Sequence, residues 1–352
     1  MAVSQWSANF ATQPKVKALL SKTVGNAEAL VLEDVPSPVP GVGQVRLRVH
    51  ACALGFPDTL IINDQYQMRP PRPFSPGGEV AGVVDEVGTG VQNLSPGDRV
   101  IGWCLWGGLA QELVINADRC LPIPDGMPMA DGAALMFSHG TALYALRERA
   151  KLLPGETLLV TGASGGVGLA AVELGCLLGA RVIAAASSEK KLNIALLHGA
   201  QAGLVYPAES MDPDGARAFG KTLKESLGAL GADVVLDVTG GQYAESFMRA
   251  IAWQGRYLVV GFASGIPKLP LNLVLLKGCD VLGVSSGEYI ARERGKFDAS
   301  HRELLTMYAQ GLIRPHVSQR FPLERSAEAI SLIASRQAVG KLVVIMTEGD
   351  KT

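Results

Sequence analysis

Apolar and polar positions along the chain follow two rhythms, and the change from one to the other comes near Lys151. Upstream, short β-rich runs such as QVRLRVHACAL and LAQELVI lie between the turn clusters PSPVPGVG, VGTGVQNLSPGDRV and PIPDG. Strand-like runs punctuated by Gly, Pro, Asn and Asp predict a mainly β half, a partly open barrel. From Thr157 onward the apolar strands TLLVTGA, RVIAAAS, AGLVY, ADVVLDV and RYLVVGF alternate with segments of helical periodicity. That βαβ repetition predicts an α/β half, a doubly wound parallel sheet with helices on both faces. The last apolar run, GKLVVIM at Gly340–Met346, stands apart from the repetition and is assigned to the first half.

Candidate chemistry concentrates where the repetition begins, in LLVTGASGGVGLAAVELG. Leu158–Val160 reads as a short buried strand, and Val167, Ala171, Leu174 and Leu178 recur at helical spacing. Between strand and helix, Gly162, Gly165, Gly166 and Gly168 let the backbone turn tightly and approach a pyrophosphate at the helix N-terminus. Ala163 fills the first glycine place of GxGxxG, and the predicted contacts are Ala163, Ser164, Gly165, Gly166, Val167 and Gly168. An acid at the end of the next strand would bind the ribose 2′-hydroxyl of NAD, but that strand ends in Ala186, Ser187 and Ser188, with Lys190 and Lys191 beyond. Hydroxyls and positive charge suit the 2′-phosphate of NADPH, although the same serines also suit a helix cap. Ser187, Ser188, Lys191 and, after the following strand, Tyr206 are the expected contacts.

Composition narrows the function classes. A chain of 352 residues, with 48% apolar and 18% charged residues and 41 glycines, suits a two-domain α/β enzyme. A formal net charge of -1 offers no long-range attraction to nucleic acid or anionic lipid. The five cysteines, Cys52, Cys104, Cys120, Cys176 and Cys279, are scattered and never in CxxC order, which argues for a reducing, cytoplasmic setting. No run reaches the roughly 18 apolar residues that a membrane helix needs. The opening residues 1–15 read as a flexible extension.

Taken together, VTGASGGVGLAAVELG, DVVLDVTGG and GRYLVVGFASG behind a β domain resemble the medium-chain dehydrogenase/reductase superfamily. FPDTLIINDQYQMRPPRPFSPGGEVAGVVDEVG is similar to its zinc-independent NADPH:quinone oxidoreductase branch. The resemblance implies a GroES-like catalytic domain at 16–139 and 312–352, and a Rossmann NADPH-binding domain at 140–311. Where zinc relatives hold catalytic metal, this chain has Gly55, Gly78 and Phe137, none a ligand, and the structural-zinc lobe is reduced to Cys104. His139, near the third of these places, reads as a hydrogen-bonded packing residue, and Glu79 as a partner in a structural hydrogen bond or ion pair. Without a Lewis acid, hydride goes to an acceptor that is already electrophilic, a quinone or an α,β-unsaturated carbonyl.

The resemblance places Tyr66 beside the nicotinamide, stacking or positioning first and donating a proton second. It also implies Thr141, Gly240, Gly261, Phe262, Ala263 and Ser264 around the dinucleotide. Gly55 stands where the family has asparagine, and Trp103 and Trp106 are candidate walls for a flat substrate. Lys341 reads as a surface lysine. The stretch CDVLGVSSG is where relatives pair nucleotide domains, so a homodimer is expected. Three functions follow: an NADPH-dependent quinone reductase, a reductase of enones, enals or enoyl thioesters, and a non-catalytic NADPH-binding structural or regulatory protein.

Overall fold

The structure is a computed structural model and describes residues 14–207 and 211–346. Most of the expected extension at 1–15 therefore lies outside the described residues, while Lys15 already opens the first strand, Lys15–Ser21. Contacts divide the chain into two compact units: residues up to Met136 together with those from Pro315 on, and Phe137–Arg314.

The first unit holds a seven-stranded sheet and a two-stranded one. Its central strand, Gln44–Leu54, runs antiparallel to Glu79–Val87 on one side and to Lys341–Ile345 on the other. The sequence pattern explains its position. Val45, Leu47 and Val49 are buried while Arg46 and Arg48 are not, and from Ala51 to Leu54 every residue is buried as the strand passes between two neighbours. Around it Leu47, Val49, Leu54, Val80, Leu109, Leu113 and Val344 form the core.

The second unit carries a six-stranded sheet in which every pairing is parallel. Numbered in chain order, its strands lie 3-2-1-4-5-6, the doubly wound order of dinucleotide-binding folds. The order reverses between Thr157–Thr161 and Ala232–Asp237, so the crevice for a ligand opens at the carboxyl ends of those two strands. The core here is built from Leu159, Ile183, Val235, Phe247, Ile251 and Tyr257. The edge opposite the first βαβ turns is Asp280–Gly283.

Candidate functional site

Strand Thr157–Thr161 leads directly into the glycine-rich loop and helix Gly166–Leu177. Gly162 turns the chain at a φ of +56°, and Gly168 packs so tightly that a Cβ there would lie 2.2 Å from the Gly162 carbonyl oxygen. Gly165 is the N-cap in extended backbone, with no side-chain cap, so the first-turn N–H groups of Gly166, Val167 and Gly168 receive no side-chain acceptor. A Cβ on Gly165 would meet nothing closer than 3.4 Å, which leaves room for a phosphate at the helix end. Ala163 and Ser164 are buried beneath the loop. Open donors, helix dipole and close backbone approach fit a dinucleotide pyrophosphate.

At the next strand end, Ser187 and Ser188 are half-buried and Lys191 sits in the first turn of helix Glu189–Leu197. Ser188 caps that helix, its Oγ accepting from the Lys191 N–H at 3.3 Å. Accepting through oxygen still leaves the serine O–H as a donor. Tyr206 is 7% exposed, its ring centroid 4.8 Å from that of Tyr243 inside the core, while its backbone N–H donates to Ala186 O at 3.0 Å. Its ring is thus committed to packing. Thr141 Oγ1 lies 2.8 Å from Ser286 Oγ.

The remaining loops are tied together by a residue that sequence reasoning passed over, Asp237. It is 2% exposed at the end of strand Ala232–Asp237. Its Oδ1 accepts from Thr161 Oγ1 at 2.6 Å, Thr239 N at 2.9 Å and Gly240 N at 3.0 Å, and its Oδ2 accepts from Tyr257 Oη at 2.5 Å. Thr161 in turn accepts from Thr239 Oγ1 at 2.5 Å. Burial, then the neighbouring Asp237 charge, raises the Tyr257 hydroxyl far above its ordinary range, so it stays a donor. Gly240, at a φ of +64°, begins a turn that Ser264 N closes onto Thr239 O at 2.7 Å and Gly241 N closes onto Gly265 O at 2.8 Å. Gly261, Phe262, Ala263 and Ser264 follow the next strand, and Phe262 faces outward, exposed. The signal available in sequence was an acid ending an otherwise apolar strand, immediately before TGG.

In the first unit the PGG turn is held from above by the WCLWGG segment. Cys104 N donates to Gly78 O at 2.9 Å, Gly108 N to Gly77 O at 2.9 Å and Leu109 N to Pro76 O at 2.9 Å. A Cβ on Gly78 would sit 3.3 Å from the Leu105 carbonyl oxygen, so this position is short of space as well as of a metal ligand. Asp58, 5% exposed, accepts from Gly55 N at 2.8 Å and Gly77 N at 2.9 Å. Burial pushes its carboxyl up to about 6, against those two N–H bonds and the Lys341 charge. Tyr66 is half-buried against the same core; burial, then the Asp58 charge, raises its hydroxyl. Burial likewise raises the Cys52 and Cys104 thiols, which makes them poor nucleophiles. Trp106 is half-buried, whereas Trp103 ends strand Arg99–Trp103 with only 2% of its surface open.

Lys341 corrects the reading of a surface lysine: it is 5% exposed, and its Nζ donates to Glu79 Oε1 at 2.6 Å. Sheet register explains the burial. Lys341 opens one neighbour of the central strand and Glu79 opens the other, so the ion pair spans the end of Gln44–Leu54 at Gly55. His139, in the second unit, binds Glu173 through Nε2 at 3.1 Å, and the other Glu173 oxygen holds His198 Nδ1 at 2.9 Å. Among the described residues, no group of three His, Cys, Asp or Glu is arranged to hold a metal ion.

Residues 41–125 match the alcohol dehydrogenase GroES-like domain family, and 166–303 match the zinc-binding dehydrogenase family. The chain is 37% identical over 320 residues to quinone oxidoreductase-like protein 2 of Rattus norvegicus, covering 90% of this chain and 89% of that protein. It belongs to the quinone oxidoreductase family of medium-chain dehydrogenase/reductases. Among solved structures, mycobacterial Rv1454c complexed with NADPH has a TM-score of 0.86 at 27% identity, covering 94% of this chain and 100% of that one. The quinone oxidoreductase from Thermus thermophilus, also solved in complex with NADPH, has a TM-score of 0.78 at 33% identity, covering 94% and 100%. As a member of the quinone oxidoreductase family, the protein is an oxidoreductase with a GroES-like unit and a Rossmann unit.

Proposed function

We propose that this oxidoreductase reduces a quinone-type acceptor with hydride from NADPH. NADPH is the cofactor, and when bound it supplies the hydride. The observation that carries the quinone reading is the pair of glycines, Gly55 and Gly78, where zinc relatives place ligands, the second closed over by Leu105. Side chains that cannot bind a Lewis acid leave carbonyl activation to the acceptor itself, and a quinone is activated already. The quinone oxidoreductase names of the relatives support the same class.

The roles divide between the units. Residues 16–139 and 312–352 form the catalytic domain, where Gly55, Tyr66 and Trp106 receive the acceptor while Trp103 is buried at the end of its strand; residues 140–311 bind the nucleotide. Gly165, Gly166, Val167 and Gly168, with Ala163 and Ser164 beneath them, hold the pyrophosphate through backbone N–H groups. Ser187, Ser188 and Lys191 take the 2′-phosphate, with Tyr206 held next to that strand end by its backbone bond to Ala186, and Thr141, Gly240, Gly261, Phe262, Ala263 and Ser264 line the nicotinamide half. Tyr66, with its hydroxyl kept protonated by burial, positions the acceptor and can donate to it.

Two further assignments complete the reading. The protein forms a homodimer along strand Asp280–Gly283, which ends the sheet order and exposes Val281, next to a helix that exposes Leu271, Leu275 and Leu276. It works in a reducing, cytoplasmic compartment, which suits five free cysteines. The deciding experiment compares NADPH oxidation with a benzoquinone and with an α,β-unsaturated ketone, side by side. Faster turnover of the quinone supports the proposal; preference for the enone moves the protein to the enone, enal or enoyl-thioester class. NADPH binding without consumption on either acceptor would make it a nucleotide-binding protein without turnover.

A further inference from the structure

Lys341 holds a buried ammonium with three N–H bonds, of which Glu79 takes one at 2.6 Å; no second acceptor for it is found among the described residues. Asp58 feels the Lys341 charge, but among the described residues no hydrogen bond joins the two, and the Asp58 oxygens receive the Gly55 and Gly77 N–H groups. A buried donor left without an acceptor is costly, so such groups point to a ligand or a function. Toward Gly55, Nζ faces a position without a side chain. A Cβ built on Gly55 would lie 3.9 Å from Nζ and 3.4 Å from Pro57 Cδ, with nothing else within 4 Å apart from its chain neighbours. Gly55 itself is partly exposed. The missing side chain at 55 therefore opens a space whose wall is the lysine ammonium.

We propose that Lys341, reached through the space above Gly55, donates a hydrogen bond to the acceptor's carbonyl oxygen and stabilises the negative charge that hydride addition puts there. This rests on the reading of the acceptor as an electrophilic carbonyl compound. With a quinone, hydride adds two electrons and one hydrogen to give the hydroquinone monoanion, the oxidised product is NADP+, and water supplies the second proton. Lys341 keeps its proton throughout. Its charge does the work that a Lewis acid would do at the acceptor oxygen. Glu79 fixes the ammonium's direction across the end of the central strand, which makes it a positioning residue.

The test compares wild type with the double variant Lys341→Met, Glu79→Gln, which removes both members of the buried pair together, so that neither is left facing an empty partner. A second variant, Gly55→Ala, leaves the pair intact and makes only ordinary contacts with its neighbours, but narrows the opening. For each, the thermal midpoint, the NADPH Kd by fluorescence, and kcat and KM with a benzoquinone and with an α,β-unsaturated ketone are measured. The expected result is an NADPH Kd within twofold of wild type for both variants. Acceptor kcat/KM falls about 100-fold in the double variant, the scale of losing one oxyanion donor, and Gly55→Ala raises acceptor KM. A double variant that keeps acceptor kcat/KM within twofold overturns the role, as does a loss confined to NADPH Kd, which would assign the ammonium to a cofactor phosphate. Should the double variant fail to fold, Gly55→Ala decides alone, and an unchanged acceptor KM overturns the proposal. Wild-type turnover of neither compound refutes the carbonyl-acceptor reading, a result separate from any variant's behaviour.

Discussion

Thr161 and Asp237 meet at 2.6 Å, hydroxyl to carboxylate, at the point where the strand order of the parallel sheet reverses. Each ends its strand, and each begins a loop of the dinucleotide crevice. Through Asp237 the carboxyl ends of three adjacent strands are joined, because Tyr257 comes from the next strand across. The backbone N–H groups of Thr239 and Gly240 complete the set. A phosphate loop needs its donors aimed before the ligand arrives, and this network supplies that rigidity.

Replacing Asp237 by alanine leaves the Thr161, Thr239, Gly240 and Tyr257 donors with no carboxylate. At about 1–3 kcal/mol for each buried group left unsatisfied, less what water recovers, stability falls by several kcal/mol. Tyr257→Phe removes one donor only and costs about 1 kcal/mol. Chemical denaturation of both variants, with NADPH titrated by fluorescence, checks the ordering: Asp237→Ala weakens NADPH binding at least tenfold, and Tyr257→Phe far less.

Two glycines of the phosphate loop separate a folding role from a binding role. Gly168→Ala drives a methyl to 2.2 Å from the Gly162 oxygen and 2.8 Å from Ala163 Cα, both backbone atoms that move only with the loop. Overpacking of that kind costs about 1–3 kcal/mol and displaces the donors as well. Gly165→Ala meets nothing nearer than 3.4 Å and keeps an ordinary negative φ of -81°. Its stability stays near wild type, while the added methyl stands where the pyrophosphate approaches, so NADPH Kd rises. Thermal melting and NADPH titration of both variants show the contrast, and equal stability losses would refute it.

A histidine restored at position 78 does not restore zinc. The new Cβ would press on Leu105 O at 3.3 Å, and Gly55 and Phe137 still offer no ligand. Gly78→His therefore loses about 1 kcal/mol from crowding and purifies with no stoichiometric zinc. Elemental analysis of the purified variant, alongside its melting temperature, decides the point.

What could be seen in the sequence was whatever the backbone demands locally. Gly162 and Gly168 show as glycines because a left-handed turn and a backbone-to-backbone contact admit nothing larger, and the parallel sheet shows because each buried strand is apolar along its length. The carboxylate network did not show, since its partners lie 76 and 20 residues apart and an aspartate ending a strand also suits a simple turn. Lys341 was misread for the same reason. Its partner Glu79 is 262 positions away, and nothing near GKLVV says that a lysine there faces inward. Of its two sequence readings, Ser188 takes that of helix cap in the structure.

Asp58 makes folding depend on pH in a direction opposite to most surface carboxylates. Burial raises its folded-state pKa from 3.8 to about 6, so between those values the folded protein holds a proton that the unfolded chain has lost. The contribution is fully present below pH 3.8 and fades as pH rises through about 6. At about 1.4 kcal/mol per pH unit across that window, it amounts to about 3 kcal/mol. The substitution Asp58→Asn, which puts a neutral amide there at every pH, abolishes this dependence, though the amide offers one acceptor oxygen where the carboxylate offers two to Gly55 and Gly77. Denaturant midpoints at pH 5 and pH 7.5 are therefore expected to differ between wild type and Asp58→Asn, with the wild type losing more stability on going to the higher pH. The other titrating groups are common to both proteins and cancel in the comparison. Parallel pH profiles for the two would mean that Asp58 ionises in the folded protein as it does in the unfolded chain.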